Sequence, residues 1–248
     1  MTYLFSIALL VVCVLMYMLA LAHRNSIITH DVTATISEDY KLYFISDVHN
    51  RKINQHMLLR VGQVNAVIIG GDFCDKRTSF ARLEENLRRL STCGKLYYVW
   101  GNNDRELNEV KLRAMFKQYD VTLLENSAVP LTKEIWLSAI EDTSSRKYSF
   151  EAALQHVPKE AYCIFVSHNP AVFPRVLAAH TVNFLLAGHW HGGQIRLGPL
   201  GVRPKGAYTY EQGVPTLISN GYGTTLLPLR LGAAPQTHII TLHATKDV

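Results

Sequence analysis

Five short segments of this 248-residue chain place Asp, Asn or His directly after apolar, β-branched runs. They are Asp47-Val48-His49, Gly70-Gly71-Asp72, Gly101-Asn102-Asn103-Asp104, Ser167-His168-Asn169 and Gly188-His189-Trp190-His191. Two Asp, one Asn and four His stand out: Asp47, Asp72, Asn102, His49, His168, His189 and His191. Together they make an oxygen-and-nitrogen donor set without thiolate, which suits Mn, Fe or Zn. Seven side chains exceed what one metal takes from protein while keeping a position open for water. Two metals sharing one carboxylate fit the count, because a carboxylate has two oxygens and can bridge. Each segment alone has an ordinary explanation: a turn for Asp-x-His, a helix N-cap for Gly-Gly-Asp, a hydrogen-bonded turn residue for a single His. The His189/His191 pair is harder to explain that way, since Gly188, Gly192 and Gly193 clear side chains from around two imidazoles.

The elements that must position these residues are legible in the hydropathy pattern. Apolar, β-branched runs at 41–46, 66–69, 95–100, 135–140, 162–166, 183–187, 215–219 and 238–242 read as strands, and amphipathic stretches at 79–90 and 106–119 as helices. Strands alternating with helices predict an α/β domain over 40–248 with partly parallel sheets. Toward the C-terminus helices thin out and Gly/Pro turns multiply, which predicts a second, more antiparallel sheet packed on the first. The polar residues cluster at the C-terminal ends of strands, where open α/β sheets bind ligands.

The order Asp-x-His, Gly-Asp, Gly-Asn-x-Asp, His, Gly-His-x-His across residues 41–191 resembles the calcineurin-like metallophosphoesterase superfamily. The run Gly188-His189-Trp190-His191-Gly192-Gly193-Gln194, followed by Gly221-Tyr222-Gly223-Thr224-Thr225 and a terminal strand, is similar to a narrower branch of membrane-associated bacterial enzymes. That branch includes UDP-2,3-diacylglucosamine hydrolases and related cell-envelope phosphoesterases. The resemblance implies two facing mixed β-sheets flanked by helices and a pair of divalent metal ions. It assigns Asp47, His49 and His191 to one ion and Asn102, His168 and His189 to the other, with Asp72 bridging. It implies hydrolysis of a phosphoester or pyrophosphate bond by hydroxide held between ions about 3.5–4 Å apart. His168, His189 and Asn103 thereby fall at catalytic positions.

One departure from the pattern matters. Relatives carry His directly after the motif's Asn, where this chain has Asn103. Asparagine donates a hydrogen bond but delivers no proton at neutral pH. The substrate expected is therefore one whose leaving group is already a stable anion, as in a pyrophosphate such as a UDP-sugar; a non-catalytic metal-binding interaction module is the competing class. A phosphodiesterase or phosphatase acting on a soluble substrate is a further alternative. Asp104 and Asp75 each read either as a support for a metal ligand or as a helix N-cap. Arg51, Asn103, Arg196 and Arg203 are candidate substrate contacts, with Lys205 and Arg230 adding to the same basic group. Tyr222 reads as a turn aromatic.

Composition sets the location. Residues 3–22 carry no charge, and Ser6 alone among them is not apolar. About 20 residues at a 1.5 Å rise cross a ~30 Å hydrocarbon layer. A cleaved signal would want a positive start and a shorter apolar run, so a retained single-pass anchor over 1–22 is expected, followed by a polar linker over 23–39. Arg24, Lys41, Arg51 and Lys52 favour a cytoplasmic catalytic domain. Cys74, Cys93 and Cys163, with no C-x-x-C pair, fit a reducing compartment. Residues 1–142 hold sixteen Lys/Arg and sixteen Asp/Glu, and residues 143–248 nine and four, so the net charge of +5 lies in the second part of the chain. That excess suits an anionic small molecule or lipid headgroups; no basic run with interleaved aromatics points to nucleic acid.

Overall fold

A computed structural model of the protein describes residues 1–245. Helix α1 (Thr2–Ala22) is followed by β1 (Ile27–Ala34), β2 (Tyr40–Ile45), α2 (Gln55–Val61), β3 (Ala66–Gly70), α3 (Phe80–Leu90), β4 (Lys95–Val99), α4 (Glu109–Gln118) and β5 (Thr122–Leu124). The chain continues through β6 (Ser127–Pro130), β7 (Ile135–Ala139), α5 (Phe150–Leu154), β8 (Tyr162–Val166), α6 (Phe173–Ala179) and β9 (Phe184–Ala187). It closes with the hairpins β10 (Arg196–Leu197)/β11 (Leu200–Gly201) and β12 (Ala207–Glu211)/β13 (Val214–Ile218), then β14 (Thr237–Ala244). Two six-stranded sheets result, in the orders β1-β14-β2-β3-β4-β5 and β12-β13-β9-β8-β7-β6.

Period-two alternation decides the layers. In β2, Tyr43 and Ile45 face α2, α3 and α4, joining Met57, Leu83, Leu87, Leu112 and Phe116 in one core. Leu42 and Phe44 face the other way and meet Ile164, Val166, Phe184 and Leu186 of the second sheet. On the far side of that sheet Phe165 and Leu185 pack under α5 and α6. The stack is therefore helix, sheet, sheet, helix, as expected. Helix α3 starts where Ser79 accepts a hydrogen bond from the Arg82 N–H. The second sheet has two antiparallel pairs, β12/β13 and β6/β7, against one, β14/β2, in the first.

The 23–39 stretch differs from the expected linker. Residues 27–34 form β1, an edge strand running parallel to β14 from Ile27↔Thr237 to Ala34↔Ala244. Only Val32 and Ala34 are buried in it, so backbone pairing holds the strand and little hydropathy period remains to be read. Helix α1 has the length and apolar composition to cross a bilayer, properties shared by a signal sequence near an N-terminus. Its residues are exposed except at the last turn, where Met18, Leu21 and Ala22 pack on the domain.

Candidate metal centre

β2, β3 and β4 are parallel, as are β8 and β9, so their C-terminal turns meet at one edge of the two sheets. The turns are abrupt. Asp47 (φ 53°), His49 (50°), Asp72 (49°), His189 (70°) and His191 (50°) all adopt left-handed backbone. A side-chain-bearing residue costs about 1–2 kcal/mol there, so neighbouring contacts must hold each one. The Asp47 N–H donates to the Gly71 carbonyl at 2.9 Å and the His49 N–H to that of Asp72 at 3.0 Å, which ties the first two turns together.

Two clusters result: Asp47, His49 and His191, and Asp72, His168 and His189, the donor atoms within each lying within 4.8 Å of one another. His191 Nε2 is 3.3 Å from Asp47 Oδ1 and 3.1 Å from His49 Nε2. Asp72 Oδ2 is 3.3 Å from His168 Nε2 and 3.9 Å from His49 Nε2. One carboxylate oxygen of Asp72 thus stands between the clusters.

The donor set fits divalent cations. His168 Nδ1 lies 2.9 Å from the Gly70 carbonyl and must carry the proton to bond it, which leaves Nε2 as the lone-pair nitrogen. That Nε2 is buried with no hydrogen-bond partner among the described residues. A buried acceptor without a donor is costly unless something occupies its lone pair. A proton is the alternative occupant of that lone pair: burial opposes charge on His168, but Asp72, 3.3 Å from Nε2, and Asp47 outweigh it and push its pKa up to about 10, so a cation bound there would displace a proton. Burial, then His49 and Arg230, hold His191 well below the usual range. Divalent ions would replace this uneven mixture with uniformly neutral imidazole ligands.

Further residues hold the donors in place. Ser46 Oγ donates to Asp47 Oδ2 at 2.6 Å, and the His189 N–H to Asp47 Oδ1 at 3.0 Å. Asp75 Oδ2 lies 3.3 Å from His49 Nδ1 and is itself paired with Arg77, which places it to orient the imidazole. Asp104 is no N-cap. Its Oδ2 accepts from the N–H groups of Asp72 (3.0 Å) and Gly101 (2.7 Å), and its Oδ1 from that of Cys74 (3.0 Å). At Gly188 a Cβ would sit 2.3 Å from Asp47 Oδ2, so this glycine makes way for a carboxylate rather than for the imidazoles.

Asn102 is exposed. Its Nδ2 donates to Asn103 Oδ1 at 2.7 Å, and it lies between Gly101, packed on Asp72, and Asn103, whose N–H donates to Asp72 Oδ1 at 2.8 Å. Asn103 Nδ2 donates to Glu106 at 3.1 Å. The basic residues are differently employed. Arg51 donates to the carbonyls of Tyr222, His23 and Arg24 and to Asn25, with its guanidinium 3.9 Å over the Tyr222 ring. Arg196 donates to the carbonyls of Gly192, Gly198, Pro199 and Arg203. In both of these candidate substrate contacts, the guanidinium donors are engaged mainly by main-chain oxygens. Arg203 is exposed. Tyr222 is wholly buried, its hydroxyl 2.6 Å from Asn25 Oδ1. Arg230, also wholly buried, donates to the carbonyls of His191, Asn220, Gly223 and Ala233. No spacing in the sequence marks that role, because its acceptors are backbone.

Comparison with known proteins agrees with this geometry. A family model described as calcineurin-like phosphoesterase matches residues 40–193. The Bacillus subtilis protein YpbG is 40% identical over 207 residues, covering 81% of this chain and 80% of its own length. The Bacillus subtilis metallophosphoesterase YkoQ is 28% identical over 98% of both chains. Among solved structures, a dimetal phosphatase from Danio rerio superposes with a TM-score of 0.54 at 13% identity, covering 84% of this chain and 93% of that one, a likeness of fold.

Proposed function

The chain belongs to the calcineurin-like phosphoesterase family, and we propose that it is a membrane-anchored, two-metal hydrolase of phosphoester or pyrophosphate bonds in a lipid-linked or UDP-sugar-like substrate. The observation that carries this reading is Asp72 Oδ2 standing between two three-residue donor clusters. The two clusters would hold two divalent ions, which would supply Lewis-acid polarisation of phosphoryl oxygens and a more acidic water.

The protein's own residues do the rest. Asp47, His49 and His191 would hold one ion and Asp72, His168 and His189 the other, with Asn102, on the turn that packs on Asp72, as a further donor to the second. The Gly70 carbonyl fixes the His168 tautomer, and Asp75 orients His49. Burial and then His168 lower the pKa of His189, so it is neutral near pH 7 and free to act as a ligand. Asn103, bonded to Asn102 and Glu106, offers hydrogen bonds and no proton, which supports a substrate with a stable anionic leaving group.

The test is hydrolysis of bis-p-nitrophenyl phosphate by Mn²⁺-loaded full-length protein and by Asp72→Ala, followed by comparison of a UDP-sugar-type pyrophosphate with an alkyl phosphomonoester. Activity lost in the variant and faster pyrophosphate turnover are expected. Inactivity with every divalent metal tried would favour the non-catalytic metal-binding module, and faster monoester turnover would overturn the leaving-group argument.

A further inference from the structure

Six large apolar side chains outside the core lie together beside the metal centre. Ile195, Leu197, Leu200 and Val202 belong to the β10/β11 hairpin and its flanks, and Leu226 and Leu227 to the loop between β13 and β14; Val202 and Leu226 are each 84% exposed. Residues 197–202 and 224–229 contain no charge at all. The two segments form one platform. Gln194 donates from its amide to the carbonyls of Thr225 and Leu227 and accepts from the Thr225 N–H at 2.9 Å. Arg196 grips the hairpin from inside through four carbonyls, so its apolar tips are held outward instead of folding back.

The platform abuts α1. The Arg230 N–H donates to the Met18 carbonyl at 3.1 Å, and Ala22 and His23 share a cleft with Thr224 and Pro228. Strand register puts this junction on the same edge as the metal ligands. Ile27, five residues past the helix, pairs with Thr237; the next residue of β14, His238, pairs with Phe44, near the end of β2 that leads to Asp47. Length then fixes depth. Twenty-one residues of helix rise about 31 Å, nearly the whole of a ~30 Å hydrocarbon core. Met18 lies four residues, about 6 Å, before the helix end, so a loop bonded to Met18 overlaps the bilayer boundary by about one turn. Interfacial apolar elements penetrate ~5–10 Å. Arg203 and Lys205, exposed directly after the hairpin, are placed to meet anionic headgroups.

We propose that the 195–202 hairpin and the 224–229 loop insert into the bilayer interface beside α1, so that the edge carrying the metal centre faces the membrane. The substrate phosphate is then presented at headgroup level, as in an amphiphile anchored in the same leaflet. This rests on the anchor reading of α1 made above.

The experiment uses full-length protein in two sets of phosphatidylcholine vesicles, one brominated near the headgroup end of the acyl chains to read the platform and one near their methyl ends to read the middle of α1, with single tryptophans added to the parent. Leu200→Trp and Leu226→Trp report the platform. Leu10→Trp reports the anchor, and Tyr210→Trp the opposite edge, where the β12/β13 turn lies. Brominated lipid is expected to quench the added fluorescence of the two platform reporters by about half and to leave that of Tyr210→Trp unchanged. Quenching of Leu10→Trp with neither platform reporter quenched would overturn the docking surface and leave the anchor standing. No quenching of Leu10→Trp would overturn the anchor and the docking surface together.

Discussion

Replacing Asp104 by asparagine separates the folding role of this carboxylate from its role at the metal centre. The side chain is wholly buried and accepts three N–H groups, from Asp72, Gly101 and Cys74. An amide keeps the shape but turns one oxygen into a donor. With the amide oxygen toward Asp72 and Gly101, the Cys74 N–H faces an NH2 group, at a cost of about 1–3 kcal/mol for a buried donor left unpaired. Against this, burial and then the Asp72 charge raise the Asp104 pKa to about 6 from 3.8. Keeping it ionised at pH 7 therefore costs about 3 kcal/mol relative to the unfolded chain, a cost the amide does not carry. The two terms nearly cancel, so metal-free Asp104→Asn is expected within about 2 kcal/mol of the parent, or roughly 6 °C in Tm for a chain of this size. Bound cations remove the penalty on the parent's carboxylate, and the variant loses that benefit. Its Tm gain on adding Mn²⁺ should be smaller and its kcat/KM lower by about 10–100-fold, as for other groups that orient metal ligands. Thermal unfolding with chelator and with Mn²⁺, beside steady-state hydrolysis, reads all three quantities. A metal-free loss above about 5 kcal/mol, or a variant with the parent's full Mn²⁺ response and turnover, would refute the reasoning.

Burial and then His30 lower the pKa of His238 to about 3 from 6.5, so between those values the unfolded chain binds the extra proton and stability falls as pH falls. The loss at pH 5 is about 2 kcal/mol from this group; denaturant unfolding of His238→Gln at pH 7 and 5 should show a drop smaller by that amount, and an unchanged drop would contradict it. Asn103→His restores a proton donor beside the metal ligands and should raise turnover of an alkyl phosphomonoester at least ~10-fold while changing pyrophosphate turnover much less; equal changes on both substrates would remove the leaving-group explanation. Chelation should lower Tm by about 10–20 °C relative to protein with both positions at 100 times Kd, taking about 2.7 kcal/mol per site and 2–4 °C per kcal/mol, and Mn²⁺ should restore it in differential scanning fluorimetry.

The strand-end ligands were readable because strands leave a local signature: Ile68 and Ile69 before Gly70, or Phe165 and Val166 before His168, announce a buried run and its end. The Gly/Pro turns near the C-terminus announced a second, more antiparallel sheet, and the layer order came from the family resemblance. β1 escaped because an edge strand with two buried residues is held by backbone pairing to β14, more than 200 residues away in sequence, and no local pattern records that. Arg51, Arg196 and Arg230 were legible as charges but not as clamps on main-chain carbonyls, since a carbonyl acceptor carries no residue identity. The left-handed backbone at Asp47, His49, Asp72, His189 and His191 was equally hidden, because the contacts that hold it are long-range.

Two donor clusters with Asp72 Oδ2 between them would hold a pair of ions. Calorimetric titration of metal-stripped full-length protein with Mn²⁺ counts them. Two ions bound per chain are predicted, with the stoichiometry broken in Asp72→Ala; a stoichiometry of one or none in the parent would contradict it.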